Sequence, residues 1–492
     1  MNILLVYPKH PQTFWSFKYA LRFISKKASF PPLGLLTIAA QLPAAWNKKL
    51  VDLNVKSLRD RDLQWADYVF LSGISIQRAS VLKVIERCRQ AGVKIVAGGP
   101  LFTSAPGDFQ GIDHLVLNEA EITLPRFVQD LEAGCPQPVY ATSEWADLTS
   151  SPPPEWNLIS KRHYAAMSIQ YSRGCPFNCD FCDITVLYGC RSRTKSRAQV
   201  LEELDRLYQR GWRGPVFFVD DNFIGNTQKL KHSILPAISE WMERHRHPFT
   251  FLTQTSINLA DDDELLPLLV KAGFNMVFIG IESPNEASLA ECSKTQNKNR
   301  DLLAAVQKCQ QAGLQVQAGF IVGFDNDPAS IFDSTIAFIQ QSGIVTAMVG
   351  LLNAMKGTRL HAKLEKEQRL VQTSSGDNTN YSLNFKPRMN RDALLAGYRK
   401  IVTHIYAPAN YYARIIRFLK EYRSPARRHY HFEFVTLAAF FKSIVRLGII
   451  GKERLQYWKL LLWSLFRKPR HFPLAVTLAI YGFHFRKIFE KI

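Results

Sequence analysis

The sequence predicts an α/β protein in which a doubly wound parallel sheet is followed by a partial barrel and a helical carboxyl-terminal region. Strand and helix patterns alternate up to residue 150, a second alternating series begins near residue 166, and helical patterns dominate from Met355 onward. At 492 residues, 47% of them hydrophobic, the chain can bury several cores. We predict domains at 1–150, 166–354 and 355–429, a linker at 151–165 and a basic amphipathic helical tail at 430–492.

The first region has the pattern of a Rossmann-like, doubly wound sheet. Helical patterns separate its strands, and one of these, Leu33–Leu42, follows a Pro-Pro start signal. Ligands of such sheets lie beyond the carboxyl ends of the strands, where the Gly98-Gly99-Pro100 turn falls. The predicted strands are short apolar stretches that end in turn residues: Ile3–Pro8, Lys49–Asn54, Tyr68–Ile74, Val93–Gly99 and His114–Glu119.

The second alternating series predicts a partial (β/α)6 barrel of the TIM type. It begins after the proline-rich stretch Ser150–Pro154, which marks the linker. Active-site groups on such a barrel come from the carboxyl ends of the strands. The six predicted strands are Met167–Ser172, Val216–Asp220, Phe249–Thr255, Met276–Glu282, Val316–Val322 and Ala347–Leu352.

The net charge of +20 is concentrated in the last quarter of the chain. From Tyr381 to Ile492 there are 22 Lys and Arg against five Asp and Glu, interleaved with aromatic and aliphatic residues. This combination favours an anionic membrane surface over nucleic acid as a partner. No apolar stretch reaches the about 20 residues of a spanning helix, so we predict helices that lie in the membrane interface. Packing of these helices on the barrel is the alternative.

The amino terminus and the cysteine usage indicate a cytoplasmic protein. Met1–Pro8 lacks the basic start and cleavage site of a signal peptide. Eight cysteines are too few for a disulfide scaffold in so long a chain, and three of them crowd together, which indicates metal binding in a reducing compartment. A peripheral position on the inner face of the membrane is left open by the basic tail.

The three crowded cysteines are Cys175, Cys179 and Cys182, spaced by four and three residues. Thiolates at these spacings can hold one four-iron cluster on three of its irons and leave the fourth iron open to a ligand. A structural zinc site is the alternative, but it needs a fourth ligand, and Cys190 is the only nearby thiol in the sequence.

The segment Cys175–Cys182 resembles the signature of the radical S-adenosylmethionine (SAM) superfamily, CxxxCxxC with an aromatic residue before the last cysteine, here Phe181. The resemblance implies that the three cysteines ligate a [4Fe–4S] cluster and that SAM binds the open iron. Cleavage of SAM then gives a 5′-deoxyadenosyl radical, which abstracts hydrogen from an unactivated carbon. An electron donor such as a reductase, flavodoxin or ferredoxin is implied as a partner.

The same resemblance implies further SAM contacts at the ends of the barrel strands. Glu282 falls where family members contact the amino-acid part of SAM, and Gly319 and Gly323 fall near the adenine. Gln254 and Thr255 are candidates for the SAM carboxylate or ribose. A polar group at the end of the second strand is a candidate for orienting substrate or SAM hydroxyls: Asp220, Asp221 and Asn222.

The first domain resembles the cobalamin-binding domain of one large radical SAM class. The Asp-x-His-x-x-Gly motif that supplies a lower cobalt ligand in mutases is absent, and His10 is the nearest histidine, at the wrong spacing. Glu119 occupies the place of a glycine–glutamate repeat of that class. Loop residues expected to pack around the corrin and its tail are Ser72, Gly73, Gly98, Gly99 and Pro100.

The extended similarity, from Pro11–Tyr19 to Gly376–Asn380, is to the hopanoid 2-methylase-like group with its own carboxyl-terminal domain. It implies a cobalamin-dependent methyltransferase that acts on an unactivated carbon, and the basic, aromatic tail favours a lipid-like, terpenoid substrate. The alternatives are a radical SAM cyclase or rearranging enzyme, and a cluster-based redox sensor or scaffold. A tRNA methylthiotransferase would need three further cluster cysteines in the first domain, which has only Cys88 and Cys135.

Overall fold

The computed structural model describes residues 1–377, 379–424 and 434–490 and begins with a six-stranded parallel sheet. The strands are β1 (Asn2–Tyr7), β2 (Asn47–Asp52), β3 (Tyr68–Ser72), β4 (Lys94–Gly98), β5 (His114–Val116) and β6 (Val139–Tyr140), in the spatial order β2-β1-β3-β4-β5-β6. The five predicted strands are present. The sequence analysis missed β6, because two residues show no periodicity.

Helices cover both faces of this sheet, as the doubly wound prediction requires. A core of fully buried aliphatic residues lies on each face, with Ile3 and Leu5 on one side of β1 and Leu4 and Val6 on the other. The helices are α1 (Lys18–Leu21), α2 (Leu33–Gln41), α3 (Asp60–Trp65), α4 (Arg78–Gln90), α5 (Pro100–Ser104) and α6 (Ala120–Glu132).

The second sheet contains all six predicted strands and forms the partial barrel. The strands from here on are β7 (Met167–Ile169), β8 (Ser172–Arg173), β9 (Arg193–Thr194), β10 (Gly214–Phe218), β11 (Phe249–Thr255), β12 (Phe274–Glu282), β13 (Gln315–Val322) and β14 (Ala347–Leu351). The parallel order is β14-β13-β12-β11-β10-β7. The short antiparallel pair of β8 and β9, which flanks the cysteines, was not predicted.

The central barrel strands β11 and β12 are buried on their helix side and half-open toward the interior, whereas the edge strands β7 and β14 are buried throughout. In β12, Val277 and Ile279 are fully buried, whereas Met276 and Phe278, which alternate with them, are half-buried. Because both faces of a packed barrel strand would be buried, this alternation indicates an interior with space for ligands. The surrounding helices are α7 (Ile184–Tyr188), α8 (Arg197–Gln209), α9 (Thr227–Lys229), α10 (Leu235–Arg244), α11 (Leu265–Lys271), α12 (Glu286–Glu291), α13 (Leu302–Ala312), α14 (Ile331–Ser342) and α15 (Arg359–Lys366).

The carboxyl-terminal region is helical. It consists of α16 (Arg391–Tyr406), α17 (Pro408–Glu421), α18 (Phe434–Ser443), a π-helical segment (Ile444–Ile449), α19 (Arg454–Arg467) and α20 (Phe472–Phe489). No helix among the described residues is both long and apolar enough to cross a bilayer. The predicted boundary at residue 430, and Asn378 within Gly376–Asn380, lie outside the described residues.

Helix α20 packs into the middle of the molecule rather than on its surface. The Phe485 ring stacks on Phe14 with ring centroids 4.3 Å apart, and His484 Nε2 lies 2.9 Å from the Phe14 carbonyl oxygen. The neighbouring Trp15 donates its indole N–H to Met348 Sδ at 2.9 Å. The segment around Phe14 therefore joins the first domain, the barrel and α20, and the packing alternative holds for this helix.

Candidate active site

The cysteine loop leaves β8 through a glycine that the backbone requires. Gly174 has φ of +86°, and a Cβ there would lie 2.5 Å from the Arg191 carbonyl oxygen. The Gly174 N–H donates to Asp221 Oδ2 at 3.1 Å, and the Cys175 N–H donates to the Gly189 carbonyl at 3.3 Å. These contacts hold the backbone at the start of the loop and thereby fix the position of Cys175.

The three thiols lie in this loop with little access to water. Cys179 is buried, and Cys175 and Cys182 are half-buried. Burial raises the pKa of each thiol above its ordinary value, that of Cys182 to about 12. The thiols are therefore protonated without metal, and iron binding must displace those protons.

The fold adds residues to the loop that the sequence analysis did not connect with it. The Asp180 N–H donates to the Cys292 carbonyl at 3.0 Å, so a buried thiol other than the predicted neighbour Cys190, which is exposed, lies beside the cysteine loop. Gln296 Nε2 lies 3.8 Å from Cys179 Sγ. Both come from the segment after α12, more than 100 residues away in the chain, which offers no local signal.

The cysteine loop offers three thiols, which are the ligands of an iron–sulfur cluster. Within residues 1–377, 379–424 and 434–490, no three His, Cys, Asp or Glu side chains converge tightly enough to hold a single ion. A four-iron cluster needs no such convergence, because each thiolate binds its own iron. The Gln296 side-chain oxygen is buried without a protein partner, which leaves a polar acceptor beside Cys179 for a ligand.

Glu282 forms a buried ion pair at the carboxyl end of β12. Its carboxylate accepts from Lys294 Nζ at 2.8 Å, and both side chains are almost buried. Glu282 has φ of +63°, which is uncommon for a non-glycine residue, and a Cβ at Gly280 would overlap its carboxylate. The Glu282 side chain thus folds back over its own strand, and Lys294, which the sequence analysis missed, holds it there.

The other predicted SAM residues lie around the same rim. Gln254 is half-buried on the interior side of β11, whereas Thr255 lies on the buried side. Gly319 is in β13, where a Cβ would lie 3.0 Å from Phe278 Cζ. Gly323 has φ of +107° and donates its N–H to Asp327 Oδ2 at 2.7 Å. Thr255 thus lies on the opposite side of β11 from Gln254, its buried hydroxyl has no protein partner, and its contact with SAM stays a prediction.

The polar group after β10 binds the protein itself. Asp220 accepts hydrogen bonds from the Tyr171 N–H at 3.2 Å and from the Ser172 hydroxyl at 2.6 Å, and Asp221 accepts from Gly174. Burial raises the pKa of Asp220 to about 7 and that of Asp221 to about 6. These carboxylates anchor the strand that leads into the cysteine loop, and their role in orienting substrate or SAM stays a prediction.

Asn222 also binds protein groups. Its side-chain oxygen accepts from the Ser256 N–H at 3.1 Å, and its amide donates to the Ser256 hydroxyl at 3.2 Å. These bonds link the ends of β10 and β11. Asn222 therefore fixes the spacing of two strand ends at the rim.

The loops after β3 and β4 form a surface made largely of backbone. Gly99 has φ of +89°, and a Cβ there would lie 2.5 Å from Ser72 Oγ, so the two loops touch. A Cβ at Gly98 would overlap the Val116 carbonyl oxygen, and one at Gly73 would lie 3.0 Å from Val81 Cγ2. Pro100 begins α5 directly behind Gly99. The five predicted loop residues thus meet at adjacent strand ends, where a large cofactor could approach the backbone closely.

Glu119 lies at the junction between the first domain and the cysteine loop. Its buried carboxylate accepts from Arg193 Nη1 at 2.7 Å, from Arg173 Nη1 at 3.1 Å and from the Ala146 N–H at 2.7 Å. Glu121 pairs with Arg173 at 2.8 Å. Both oxygens of Glu119 are thus engaged by groups of the protein, and its cofactor role stays a prediction.

His10 lies after β1 and is held by local bonds. Its Nε2 is 3.0 Å from the Tyr7 hydroxyl, and its backbone N–H donates to Asn54 Oδ1 at 2.8 Å. Burial lowers the pKa of His10 to about 4, so the imidazole is neutral near pH 7. This placement agrees with a loop histidine engaged by the protein.

Comparisons with known proteins cover all three parts of the chain. Family models match as follows: a B12 binding domain at residues 22–128, the radical SAM superfamily at 169–339, and a domain of unknown function, DUF4070, at 358–492. The uncharacterized methyltransferase sll1242 of Synechocystis sp. is 40% identical over 497 residues, covering 100% of this chain and 92% of the relative. The hopanoid C-2 methylase of Rhodopseudomonas palustris is 32% identical over 478 residues, covering 95% and 90%.

The chain belongs to the B12-binding radical SAM methyltransferases. Solved structures agree in fold with this B12-binding radical SAM methyltransferase. The cobalamin-dependent SAM radical enzyme OxsB, with aqua-cobalamin and SAM bound, gives a TM-score of 0.64 at 16% identity, covering 100% of this chain and 79% of that chain. TsrM from Kitasatospora setae, with cobalamin and a [4Fe-4S] cluster bound, gives 0.60 at 15%, covering 100% and 99%.

Family membership confirms the predicted fold class, enzyme class and cofactors. The chain is a radical SAM methyltransferase whose cofactors are a [4Fe–4S] cluster, SAM and cobalamin. The three thiols of the cysteine loop are donors that suit an iron–sulfur cluster, and the glycine-rich loops after β3 and β4 present backbone that a large cofactor can approach.

Proposed function

We propose that this methyltransferase methylates an unactivated carbon of a lipophilic, polycyclic terpenoid of the hopanoid kind. The observation that carries the proposal is an apolar wall formed by Trp15, Phe278 and Met348, with Phe217 on the half-buried side of β10. The Trp15 and Phe278 ring centroids are 5.3 Å apart, and Met348 Sδ accepts from the Trp15 indole. The 32% identity to a hopanoid C-2 methylase supports the same substrate class.

The apolar wall is closely packed at Gly319. Gly319 stands between Phe278 and Met348, and a Cβ there would lie 3.0 Å from Phe278 Cζ and 3.7 Å from Met348 Cε. Phe30 of the first domain adds a ring 5.1 Å from that of Phe217. A fused hydrocarbon skeleton would bury this surface from water, which stabilises binding by about 25 cal/mol per Å² of apolar area.

The roles of the site residues are part of the proposal. Cys175, Cys179 and Cys182 hold the cluster, with Phe181 packed beside them. Gln254, Glu282, Gly319 and Gly323 form the SAM side of the interior, while the loops at Ser72–Gly73 and Gly98–Pro100 hold cobalamin. When bound, the cofactors supply the radical that removes hydrogen and the methyl group that replaces it. The protein orients the substrate carbon between them and excludes water.

The division of labour along the chain is also proposed. Residues 1–150 form the cobalamin domain, 151–165 the linker, 166–354 the SAM domain, 355–429 a supporting domain and 430–492 the tail. We infer a cytoplasmic enzyme that takes electrons from a reductase, flavodoxin or ferredoxin and works at the inner face of the membrane. The eight free cysteines among the described residues support a reducing compartment, and the basic tail supports contact with anionic lipid.

A direct assay tests the proposal. Anaerobically purified enzyme, with reconstituted cluster, cobalamin and a reductant, is incubated with SAM and a detergent-solubilised hopanoid hydrocarbon. We expect 5′-deoxyadenosine together with a product heavier by one methylene, detected by mass spectrometry. A product two hydrogens lighter would indicate a ring-forming enzyme instead. Phe278→Arg, which places a charge on the apolar wall, should abolish methylation, and uncoupled SAM cleavage should persist.

A further inference from the structure

We propose that the outer face of α18, the π-helical segment and α19 is a docking surface that sits on an anionic lipid bilayer. This inference rests on the proposed function, because a lipophilic terpenoid substrate is the reason for this enzyme to reach a membrane. The surface itself is defined by side chains that the fold leaves exposed. We refer to it as the lipid face: the exposed apolar residues of 437–466 and the basic residues beside them.

Helix α19 has two apolar faces, of which the fold covers only one. Tyr457, Leu460, Leu461 and Ser464 are buried against the rest of the protein. At roughly 100° per residue, a second stripe lies within an arc of about 100° on the opposite side. It consists of large exposed residues: Leu455, Trp458, Leu462, Leu465 and Phe466, with Leu455 79% and Phe466 78% accessible.

The preceding helical segment carries a matching stripe. Leu437, Phe441, Val445 and Ile449 follow one another at intervals of four residues, and all are exposed. Ile450, at the turn into α19, is 74% accessible. Trp458 Nε1 donates to the Gly448 carbonyl at 3.0 Å, so the two segments are directly bonded. Isolated exposed apolar residues are common on soluble proteins, but ten in thirty residues on two joined helices are not.

Charge indicates what covers the lipid face. Between residues 437 and 470 there are eight Lys and Arg and a single acidic residue, Glu453. Glu453 is buried and paired with Arg486 inside the protein, so it adds no negative charge to the surface. On α19, Arg454 and Lys459 lie at the two edges of the exposed stripe and are themselves exposed. Apolar residues flanked by cations are the pattern of a helix lying in an anionic membrane interface.

The same charges disfavour a second copy of the chain as the occupant. Face-to-face packing of two such surfaces would bring Lys452, Arg454 and Lys459 against their equivalents with no exposed carboxylate on the described part of the face to compensate. A bilayer of anionic lipids supplies both the apolar interior and the compensating charge.

Vesicle flotation of the full-length holoenzyme tests the proposal. Wild type should float with phosphatidylcholine vesicles that contain phosphatidylglycerol. The triple variant Ile450→Ser, Leu455→Ser, Phe466→Ser should bind at least about tenfold more weakly. A matched triple variant, Leu82→Ser, Val139→Ser, Val371→Ser, removes exposed apolar residues elsewhere and should float like wild type. Equal flotation of the two triple variants would overturn the proposal.

Two further measurements separate the remaining outcomes. Lys452→Gln, Arg454→Gln, Lys459→Gln should lose the preference for phosphatidylglycerol, and retention of that preference would count against the assigned charge role. Analytical ultracentrifugation should show the same mass for wild type and the apolar variant, whereas a dimer only in wild type would assign the face to a second copy. Flotation needs no terpenoid, so a failed methylation assay with normal flotation rejects the substrate and not the lipid face.

Discussion

The barrel mouth, meaning the cysteine loop and the residues around it, and the lipid face both contain groups without a partner, but of opposite kinds. At the mouth, polar atoms such as Gln296 Oε1 are buried without a protein partner, whereas on the lipid face large apolar side chains such as Phe466 are exposed. A buried unpaired polar atom costs free energy that a polar ligand recovers, and an exposed apolar side chain gains when it leaves water. A buried polar atom without a hydrogen bond therefore indicates a polar ligand, and a cluster of exposed apolar side chains indicates an apolar partner.

The cysteine loop gives the largest expected effect at the mouth. Cys179→Ala removes a buried ligand, so we expect SAM cleavage to fall to the level without enzyme and the iron content to fall with it. Iron analysis and quantification of 5′-deoxyadenosine by chromatography measure both. Cys190→Ala removes the exposed neighbouring thiol and should leave both unchanged. Full SAM cleavage by the Cys179 variant would show that the mouth does not hold the cluster.

The next largest effect compares a buried ring in α20 with an exposed ring of the lipid face in α19. Phe485→Ala in α20 leaves a cavity against Phe14, and we expect a loss of about 3–5 kcal/mol in unfolding free energy. Phe466→Ala in α19 removes an exposed ring and should change it by no more than about 0.5 kcal/mol. Denaturant titration of the apo-protein measures both values. Similar losses would mean that Phe466 is packed in solution and that the lipid face is covered by the protein itself.

The domain junction gives the next effect. Glu119→Gln leaves Arg173 and Arg193 beside a neutral amide, and we expect a loss of about 3 kcal/mol in unfolding free energy. Glu86→Gln, which breaks an exposed pair with Arg89, should cost at most about 1 kcal/mol. Thermal unfolding monitored by circular dichroism compares the two. A stability equal to that of the Glu86 variant would contradict a structural role for Glu119.

The smallest expected effect tests the unpaired amide at the mouth. Gln296→Leu removes a buried oxygen that has no protein partner together with the long contact of Nε2 to Cys179 Sγ, so the free energy of unfolding of the apo-protein should fall by no more than about 1 kcal/mol. If that oxygen serves a cofactor, affinity for SAM in the reconstituted enzyme should fall by about tenfold. Gln310→Leu is the matched control, because Gln310 Oε1 is also buried without a partner but lies in α13. Equal SAM affinities, measured by equilibrium dialysis, would remove Gln296 from the site.

The sequence predicted the features that are written locally and missed those that depend on distant contacts. The spacing of Cys175, Cys179 and Cys182 and the alternating strands are local patterns, and the fold class followed from them. Lys294 and Gln296 join the site only because the segment after α12 folds back to the cysteine loop, and no periodicity signals that. The protein partners of Asp220 and Glu119 were not predicted, because a polar residue at a strand end does not reveal which neighbour it binds.

The tail shows the same limit. Both α19 and α20 are aromatic, basic and apolar in sequence, so a single expectation covered both. The contacts of α20 with Phe14 and Tyr406 bury it, while α19 has neighbours on one side only. Which apolar helix becomes core is decided by the segment that packs on it, here the turn containing Phe14, more than 400 residues earlier in the chain.

Arg173 restricts how this enzyme can be recombined with its relatives. It lies two residues before Cys175, yet its partners Glu119 and Glu121 belong to the preceding domain. A chimera that takes its first domain from one parent and its barrel from another must carry these carboxylates together with Arg173 and Arg193. Otherwise two arginines lie at the domain junction without their carboxylate partners, and the ion pairs that hold the start of the cysteine loop are lost. The first domain and the barrel therefore have to be exchanged together.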